Sequence, residues 1–268
     1  MEILKAVLLG IVQGATEFLP ISSSGHLVIA SEFMDFHGGG AAFNVMLHLG
    51  TLFSVCLAFR QDVWLMVKAP FALLQNKLDE RLRQYLYWDL YVIIATLPLV
   101  LAALFLKDDL EQLFHSVLLV YCTLLITGLL MVITGRLHGS GGRLGCRNAL
   151  IIGCAQAFAV MPGISRSGST IFTGMLLGIE RENAARFSFI MSIPAILGAA
   201  VLQLGSLTAS FSAGSFSGII AGTVAAAVTG YFAIILLMDL LKRNRLPIFG
   251  YYCFLVSALG FGHYFLIK

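Results

Sequence analysis

Long apolar stretches separated by short polar ones dominate this chain. A helix needs about 20 apolar residues to cross the hydrocarbon core of a bilayer. Stretches of about this length predict six full membrane spans: Phe43–Phe59, Tyr85–Leu106, Ser116–Thr134, the two halves of Phe187–Met238, and Pro247–Ile267. The two halves are separated by the polar turn Ser206–Ser215. The pattern therefore predicts an all-α polytopic membrane protein.

Two further apolar regions, Ile3–Ala30 and Asn148–Gly178, are broken near their middles by Pro, Gly and Ser. Non-helical backbone at membrane depth is tolerated only where protein buries it or water reaches it. We therefore expect both breaks, Pro20–His26 and Pro162–Thr170, to face one polar cavity.

Lys and Arg predict the orientation, because they favour cytoplasmic loops. They concentrate after Phe59, in residues 136–147 and in Lys242–Arg245, whereas the loop Lys107–Gln112 is acidic. This places the acidic loop, the turn Ser206–Ser215 and the C-terminus outside. The second broken region is then a re-entrant hairpin from the cytoplasm. The first is either a re-entrant hairpin from outside or a single broken span.

A shift of 143 residues aligns the two broken regions without a gap. The first reads Gly10-x2-Gln13-x7-Ile21-Ser22-x-Ser24-Gly25, and the second repeats those six residue types at the same spacing. Three predicted spans lie between them, so the second copy is inverted. We predict one integral-membrane domain, 1–268, with inverted repeats at about 1–135 and 148–268 and a basic, Gly-rich cytoplasmic linker at 136–147.

Composition agrees with a membrane location. The chain is 59% hydrophobic and 12% charged, whereas soluble domains carry about 25% charged residues. The net charge of +3 is small, and no nucleic-acid partner is expected. The five cysteines are scattered without metal-ligand spacing, and we expect them to be reduced thiols. The N-terminal segment lacks a small-residue cleavage site, and we expect it to be mature protein rather than a signal peptide.

Polar residues in the two broken regions are the candidates for chemistry. Glu17 follows Gln13 by four residues, so both lie on one helix face, and an intramembrane carboxylate is a functional hypothesis by default. Ser22–Ser24 stand beside His26, which is the usual base for a hydroxyl nucleophile, although one of these serines is also expected as an N-cap.

Arg166 is the only cation between Asn148 and Gly178. Its planar guanidinium suits bidentate binding of phosphate, and the helix N-termini after both breaks suit anions. His48, on a full span, either packs in the core or lines the cavity. These residue types describe a phosphate site inside a membrane cavity.

These motifs resemble the bacterial undecaprenyl-diphosphate phosphatases of the bacitracin-resistance type. QGATE, running on into FLPISSSGH, and PGISRSGST match the signatures of that family, and the similarity extends through NVMLHLGT and RFSFIMSIPAILGA. The resemblance implies removal of the terminal phosphate of undecaprenyl diphosphate, at a site open to the periplasmic side of the inner membrane. The catalytic positions it implies are Glu17, Ser23, His26 and Arg166. The supporting phosphate-binding positions are Gln13, Ser22, Ser24, Gly25, Ser165, Ser167 and Thr170.

The family site is regarded as assisted by a divalent metal, Mg²⁺ or Ca²⁺. Many members have Glu where this chain has Gln13, and a neutral amide is a poorer ligand for these ions. Glu17 is therefore the expected protein ligand.

The expected mechanism has Arg166 and the turn amides holding the diphosphate, with Glu17 holding the metal or positioning the attacking group. His26 is the expected proton shuttle, and Ser23 is either the nucleophile or an orienting donor. The rival function is a transporter or flippase for a phosphate-headed polyprenyl lipid. A homodimer is a possible assembly.

Overall fold

A computed structural model describes residues 2–36, 40–105, 116–137, 139–202 and 216–267. These residues form eleven α-helices and no β-strand. The helices are α1 Glu2–Phe18, α2 Ser23–Phe33, α3 Gly40–Ala58, α4 Arg60–Leu74, α5 Glu80–Phe105, α6 Val117–Thr134, α7 Cys146–Phe158, α8 Arg166–Leu176, α9 Arg181–Leu202, α10 Phe216–Lys242 and α11 Pro247–Ile267. The all-α prediction is confirmed. The predicted external loops, Lys107–Gln112 and Ser206–Ser215, lie outside the described residues.

Five of these helices, α5, α6, α9, α10 and α11, are long and apolar enough to cross a membrane. The bent pair α3–α4 brings the number to six if it is one span, and its two helices meet at 84°. The sequence pattern predicted only a basic loop after Phe59 and did not predict α4. If α3 crosses the bilayer, this bend turns α4 into the plane of the interface, where its exposed Trp64 and Phe71 suit the lipid boundary.

The first broken region is a re-entrant hairpin. Lys5, near the start of α1, donates a hydrogen bond from Nζ to the carbonyl of Asp35, just after α2, at 3.2 Å. The chain therefore returns to the level from which it started. Of the two forms that the sequence left open for this region, the structure has the hairpin.

The second broken region is also a hairpin, as predicted. The amides of Ser140 and Gly142, before α7, both donate to the carbonyl of Gly178, after α8, at 3.1 and 3.0 Å. Arg181 donates to the carbonyl of Leu137 at 2.8 Å. These contacts close the base of the hairpin beside the end of α6.

The two hairpins enter from opposite ends of the molecule. Helix α1 runs parallel to α10, because contacts advance together along both: Ala6 lies against Gly222, Gly14 against Ala226, and Phe18 against Gly230. The base of the first hairpin therefore lies where α10 begins. The base of the second lies where α10 finishes, because Lys242 approaches Glu182 at 3.8 Å. These directions agree with the predicted inversion, while the repeat boundaries and the linker role stay predictions.

Close packing of α1 on α10 depends on glycines. A Cβ on Gly10 would collide with the carbonyl of Gly222, and one on Gly14 would lie 2.5 Å from the carbonyl oxygen of Ala226. Helices inside a bilayer gain little from burying apolar surface, so small residues that bring backbones together stabilise their association. This contact fixes the position of the last turn of α1, which carries Glu17.

Both hairpin tips follow from local sequence. Helix α1 ends at Phe18, two residues before Pro20, because a proline disfavours helical backbone in the residue before it. The second tip contains Pro162 followed by Gly163, whose φ of 88° is readily adopted by glycine. The tips meet near the middle of the molecule, where a Cβ on Gly25 would lie 3.2 Å from the Cα of Gly163.

Candidate active site

Glu17 is the centre of the polar cluster between the hairpin tips. Its Oε2 accepts a hydrogen bond from the amide of Gln13 at 2.9 Å and one from the hydroxyl of Ser23 at 2.5 Å. Its Oε1 accepts one from the guanidinium of Arg166. All three partners donate, which is what a buried carboxylate requires to remain satisfied.

The pair of Glu17 and Arg166 joins the two hairpins. The Glu17 side chain is 4% exposed and that of Arg166 is 20% exposed. Glu17 uses one guanidinium nitrogen of Arg166, and among the described residues the other nitrogens have no recorded partner. This charge pair therefore connects the two hairpins, and Arg166 presents N–H donors to the cavity that it lines.

Two helix N-termini converge on this pair. Ser22 caps α2 by accepting from the amide of Gly25 at 3.3 Å, and Ser165 caps α8 by accepting from the amide of Gly168 at 3.1 Å. The caps occupy positions related by the shift of 143 residues. Ser23 and Arg166 are the first residues of the two helices, where the helix dipole favours a negatively charged ligand.

The second tip is held by threonines of α6. Thr123 donates to the carbonyl of Pro162 at 2.5 Å, and Thr127 donates to that of Gly163 at 2.8 Å. Thr127 Oγ1 also accepts from the amide of Ser165 at 3.0 Å. These bonds satisfy backbone groups that leave regular helix at membrane depth, and they fix the start of α8 under Arg166.

A cavity of about 900 Å³ opens from this cluster. Its polar end is formed by Glu17, Ser22, Ser23, Ser24, His48, Gln156, Ser165 and Arg166, and its walls are mainly apolar. At the other end, Glu32 and Asn44 also line it. These residues lie near the end of α2 and the start of α3, so the cavity extends toward the base of the first hairpin.

His48 belongs to this site. Its Nδ1 lies 2.7 Å from the carbonyl oxygen of Asn44, and its Nε2 faces Glu17 Oε2 at 3.8 Å. A carbonyl only accepts, so Nδ1 carries a hydrogen. Of the two positions that the sequence allowed for His48, the structure has the cavity-lining one.

Gln156 was not singled out from the sequence as a site residue. It is the counterpart of Gln13 in the repeat, which is the signal that could have found it. Its amide nitrogen donates to the carbonyl of Ala95 at 3.4 Å, while its buried Oε1 has no hydrogen-bond partner among the described residues.

Six of the predicted site residues line the cavity: Glu17, Ser22, Ser23, Ser24, Ser165 and Arg166. Five do not: Gln13, Gly25, His26, Ser167 and Thr170. Gln13 is fully buried and orients Glu17. Thr170, on α8, is buried. Its hydroxyl donates to the carbonyl of Arg166 at 2.8 Å and pairs with the hydroxyl of Ser188 at 2.6 Å.

Ser167 lies between the tips. It pairs with the hydroxyl of Ser165 at 3.2 Å and donates to the carbonyl of Leu19 at 3.4 Å. Gly25 is packed against the second tip, and its amide is already used by the Ser22 cap. Ser167, Gly25 and Thr170 therefore shape the tips rather than face the cavity, and their predicted phosphate contacts stay untested.

His26 points away from Glu17. Its Nδ1 lies 2.8 Å from the carbonyl oxygen of Ser22, and its Nε2 lies 2.9 Å from the hydroxyl of Tyr252 on α11. The predicted reach from His26 to the Ser23 hydroxyl is not present, because both ring nitrogens are engaged elsewhere. The carboxylate of Glu17 takes that place.

The side chains around Glu17 do not by themselves fit a divalent cation. In the part of the chain that the structure describes, no three His, Cys, Asp or Glu side chains group as metal ligands. Mg²⁺ and Ca²⁺ prefer several oxygen ligands, whereas both oxygens of Glu17 are taken and one of them faces a guanidinium. The predicted metal therefore stays a prediction.

Comparison with known proteins identifies the family of this chain. The family described as bacitracin resistance protein BacA matches residues 6–259. This chain belongs to that family. Among curated relatives, the undecaprenyl-diphosphatase of Syntrophotalea carbinolica is 42% identical over 97% of this chain and 98% of its own. The undecaprenyl-diphosphatase of Methanobrevibacter smithii is 39% identical over 97% of both chains.

A third relative, the undecaprenyl-diphosphatase of Korarchaeum cryptofilum, is 39% identical over 96% of this chain and 97% of its own. Both hairpin tips, including Glu17 and Arg166, lie inside the region that the BacA family matches. The resemblance inferred from the two motifs is therefore confirmed at the level of the family.

Proposed function

We propose that this chain hydrolyses undecaprenyl diphosphate to undecaprenyl phosphate and inorganic phosphate, which recycles the lipid carrier of cell-wall synthesis. One observation carries the proposal. A buried carboxylate, Glu17, accepts a hydrogen bond from the hydroxyl of Ser23 and pairs with Arg166 at the polar end of a largely apolar cavity. A hydroxyl, an acceptor for its proton and a phosphate-binding cation are the groups that phosphoryl transfer needs.

The terminal phosphate would bind between the two helix N-termini. Arg166 donates from the guanidinium nitrogens that Glu17 leaves free, and the dipoles of α2 and α8 favour the negative charge. Charge that develops on the equatorial oxygens in the transition state would be stabilised by the same donors. The hydroxyls of Ser24 and Ser165, which line the cavity beside them, would complete the contacts.

The attacking oxygen in this proposal is the hydroxyl of Ser23. Ser23 Oγ lies 2.5 Å from Glu17 Oε2. As Ser23 Oγ bonds to the terminal phosphorus, the hydroxyl proton passes to Glu17 Oε2. The bond between phosphorus and the bridging oxygen breaks, and undecaprenyl phosphate leaves. The oxygen of a water molecule then bonds to phosphorus and the bond from phosphorus to Ser23 Oγ breaks. Glu17 returns its proton to Ser23 Oγ, and inorganic phosphate leaves. In the alternative, water attacks directly, with Glu17 taking its proton and Ser23 donating a hydrogen bond.

The polyprenyl chain would lie along the apolar wall. Leu27, Val28, Val45, Leu99 and Ile196 line the cavity away from the charge pair. An apolar wall with a few convergent polar groups at one end is typical of a site for an amphiphilic ligand. A homodimer stays a prediction.

The site is proposed to open to the periplasmic side of the bacterial inner membrane. Asn244, after α10, donates to the carbonyl of Gly135, after α6, at 3.4 Å. The basic residues Arg136, Lys242 and Arg243 therefore share one end of the molecule, opposite the end toward which the cavity extends. The preference of Lys and Arg for the cytoplasm supports this orientation.

The test is release of inorganic phosphate from undecaprenyl diphosphate by the purified protein in detergent. We expect turnover by the parent and almost none by Glu17→Gln, which keeps the shape of the side chain but removes the proton acceptor. A transporter or flippase of a phosphate-headed lipid is the second candidate, favoured by the opposed hairpins. A protein that moves the lipid across vesicles without releasing phosphate would contradict the phosphatase proposal.

A further inference from the structure

The ring of His26 is held by two hydrogen bonds, one to the carbonyl of Ser22 and one to the hydroxyl of Tyr252; we call this arrangement the ring clamp. Because the carbonyl of Ser22 only accepts, His26 Nδ1 carries the hydrogen that bridges the 2.8 Å to it. The neutral ring then accepts at Nε2 from the hydroxyl of Tyr252, 2.9 Å away. The two rings also stack, with centroids 5.6 Å apart and planes 14° apart. This arrangement fixes both the tautomer and the direction of the ring.

The residue that His26 holds has an unusual backbone. Ser22 has φ 70° and ψ 99°, and positive φ values are rare for residues other than glycine. Such a conformation persists only where its surroundings hold it. The carbonyl of Ser22 belongs to the same peptide group as the amide of Ser23. That carbonyl accepts from the backbone amide of His26 at 3.2 Å as well as from the ring, so the ring is a second donor that holds the peptide carrying Ser23.

The repeat supplies an internal comparison. Ser165, the counterpart of Ser22, makes the same cap, yet its φ is −74° and its ψ is 121°. The counterpart of His26 is Ser169, whose buried hydroxyl has no hydrogen-bond partner among the described residues. In the second tip the capping residue therefore has an ordinary backbone, and no ring holds its carbonyl. The clamp occurs in the copy where the strained residue precedes the proposed nucleophile.

We infer that His26 and Tyr252 are positioning residues, which hold the Ser22–Ser23 peptide so that the Ser23 hydroxyl faces Glu17. This inference rests on the proposed function and assigns His26 a role other than proton shuttle. It also adds Tyr252, which no motif in the sequence pointed to. The hydroxyl of Ser23 lies 2.5 Å from Glu17 Oε2 in the held conformation.

The decisive comparison is His26→Asn against His26→Ala. The side-chain amide of Asn can place an N–H where His26 Nδ1 stands, but it does not exchange protons as imidazole does. A positioning role predicts that His26→Asn keeps at least about a tenth of the parent kcat, while His26→Ala loses about a hundredfold. Equal inactivity of the two variants, both folded by thermal melting, would overturn the inference.

Tyr252→Phe provides a second, milder test. It keeps the stacked ring and removes the hydroxyl, so we expect kcat to fall about threefold to tenfold with KM nearly unchanged. Tyr251→Phe is the matched control on the same helix, because Tyr251 is 64% exposed, and we expect parent activity. An unchanged kcat in Tyr252→Phe would remove Tyr252 from the clamp.

The activity of the parent enzyme distinguishes failure of the proposed function from failure of the positioning role. A parent that releases no phosphate from undecaprenyl diphosphate would overturn the proposed function, and the positioning roles with it. An active parent combined with an inactive His26→Asn would overturn the positioning role alone.

Discussion

Replacing Arg166 by Lys keeps the positive charge and tests whether the guanidinium itself is required. In the structure, one guanidinium nitrogen is committed to Glu17, and the remaining N–H groups are the ones available to a phosphate. A lysine ammonium is a single point donor. It can pair with Glu17 or reach the phosphate, but it does not replace the fork that does both.

The expected loss of rate in Arg166→Lys follows from the number of hydrogen bonds to the phosphate that the lysine cannot make. A hydrogen bond to a charged partner contributes about 1.5–3 kcal/mol. Losing two such bonds to the transition state costs about 3 kcal/mol or more, which corresponds to about a hundredfold or more in rate. Stability should change less, because the ammonium still compensates the charge of Glu17, whose side chain is 4% exposed.

The assay is phosphate release at saturating undecaprenyl diphosphate, with thermal melting in parallel. Arg186→Lys is the matched control. Arg186 also pairs with a buried carboxylate, that of Asp62 at 3.4 Å, but it does not line the cavity. We expect Arg186→Lys to stay within about threefold of the parent, as is usual for a partly exposed ion pair. An Arg166→Lys variant within the same limit would refute a transition-state role for Arg166.

Three further outcomes are expected. Ser23→Ala should abolish turnover if Ser23 is the nucleophile, whereas direct attack by water would limit the loss of kcat to about tenfold to a hundredfold. Trapping of phosphoserine in quenched reactions distinguishes these two roles. Gly10→Ala should lower the melting temperature, because its Cβ would collide with the backbone of α10, while the control Gly262→Ala, with no atom within 4 Å of its Cβ, should not. In a cysteine-free background, a cysteine at Ser116 should react with an impermeant reagent from outside and one at Asn244 should not; the reverse pattern would invert the proposed orientation.

Features that depend on neighbours within a few residues could be predicted from the chain alone. Apolar runs specify spans because each helix satisfies its own backbone in lipid. Pro20 and Pro162 stop helices locally, and Ser22 and Ser165 cap the next helices through amides three residues on. Charge at membrane depth marked Glu17 and Arg166 as functional before any contact was known.

Contacts between helices distant in sequence could not be predicted in this way, because they depend on which helix faces which. Glu17 meets Arg166 across 149 residues, and His26 meets Tyr252 across 226. The sequence placed His26 one helical turn from Ser23, yet a ring has several rotamers, and the partner on α11 selects the one that points away from Glu17. His48 enters the site because α3 packs along α10 and brings it opposite the end of α1. The spacing of residues along the chain constrains what each helix can present, but a side chain takes its role from packing between helices distant in sequence.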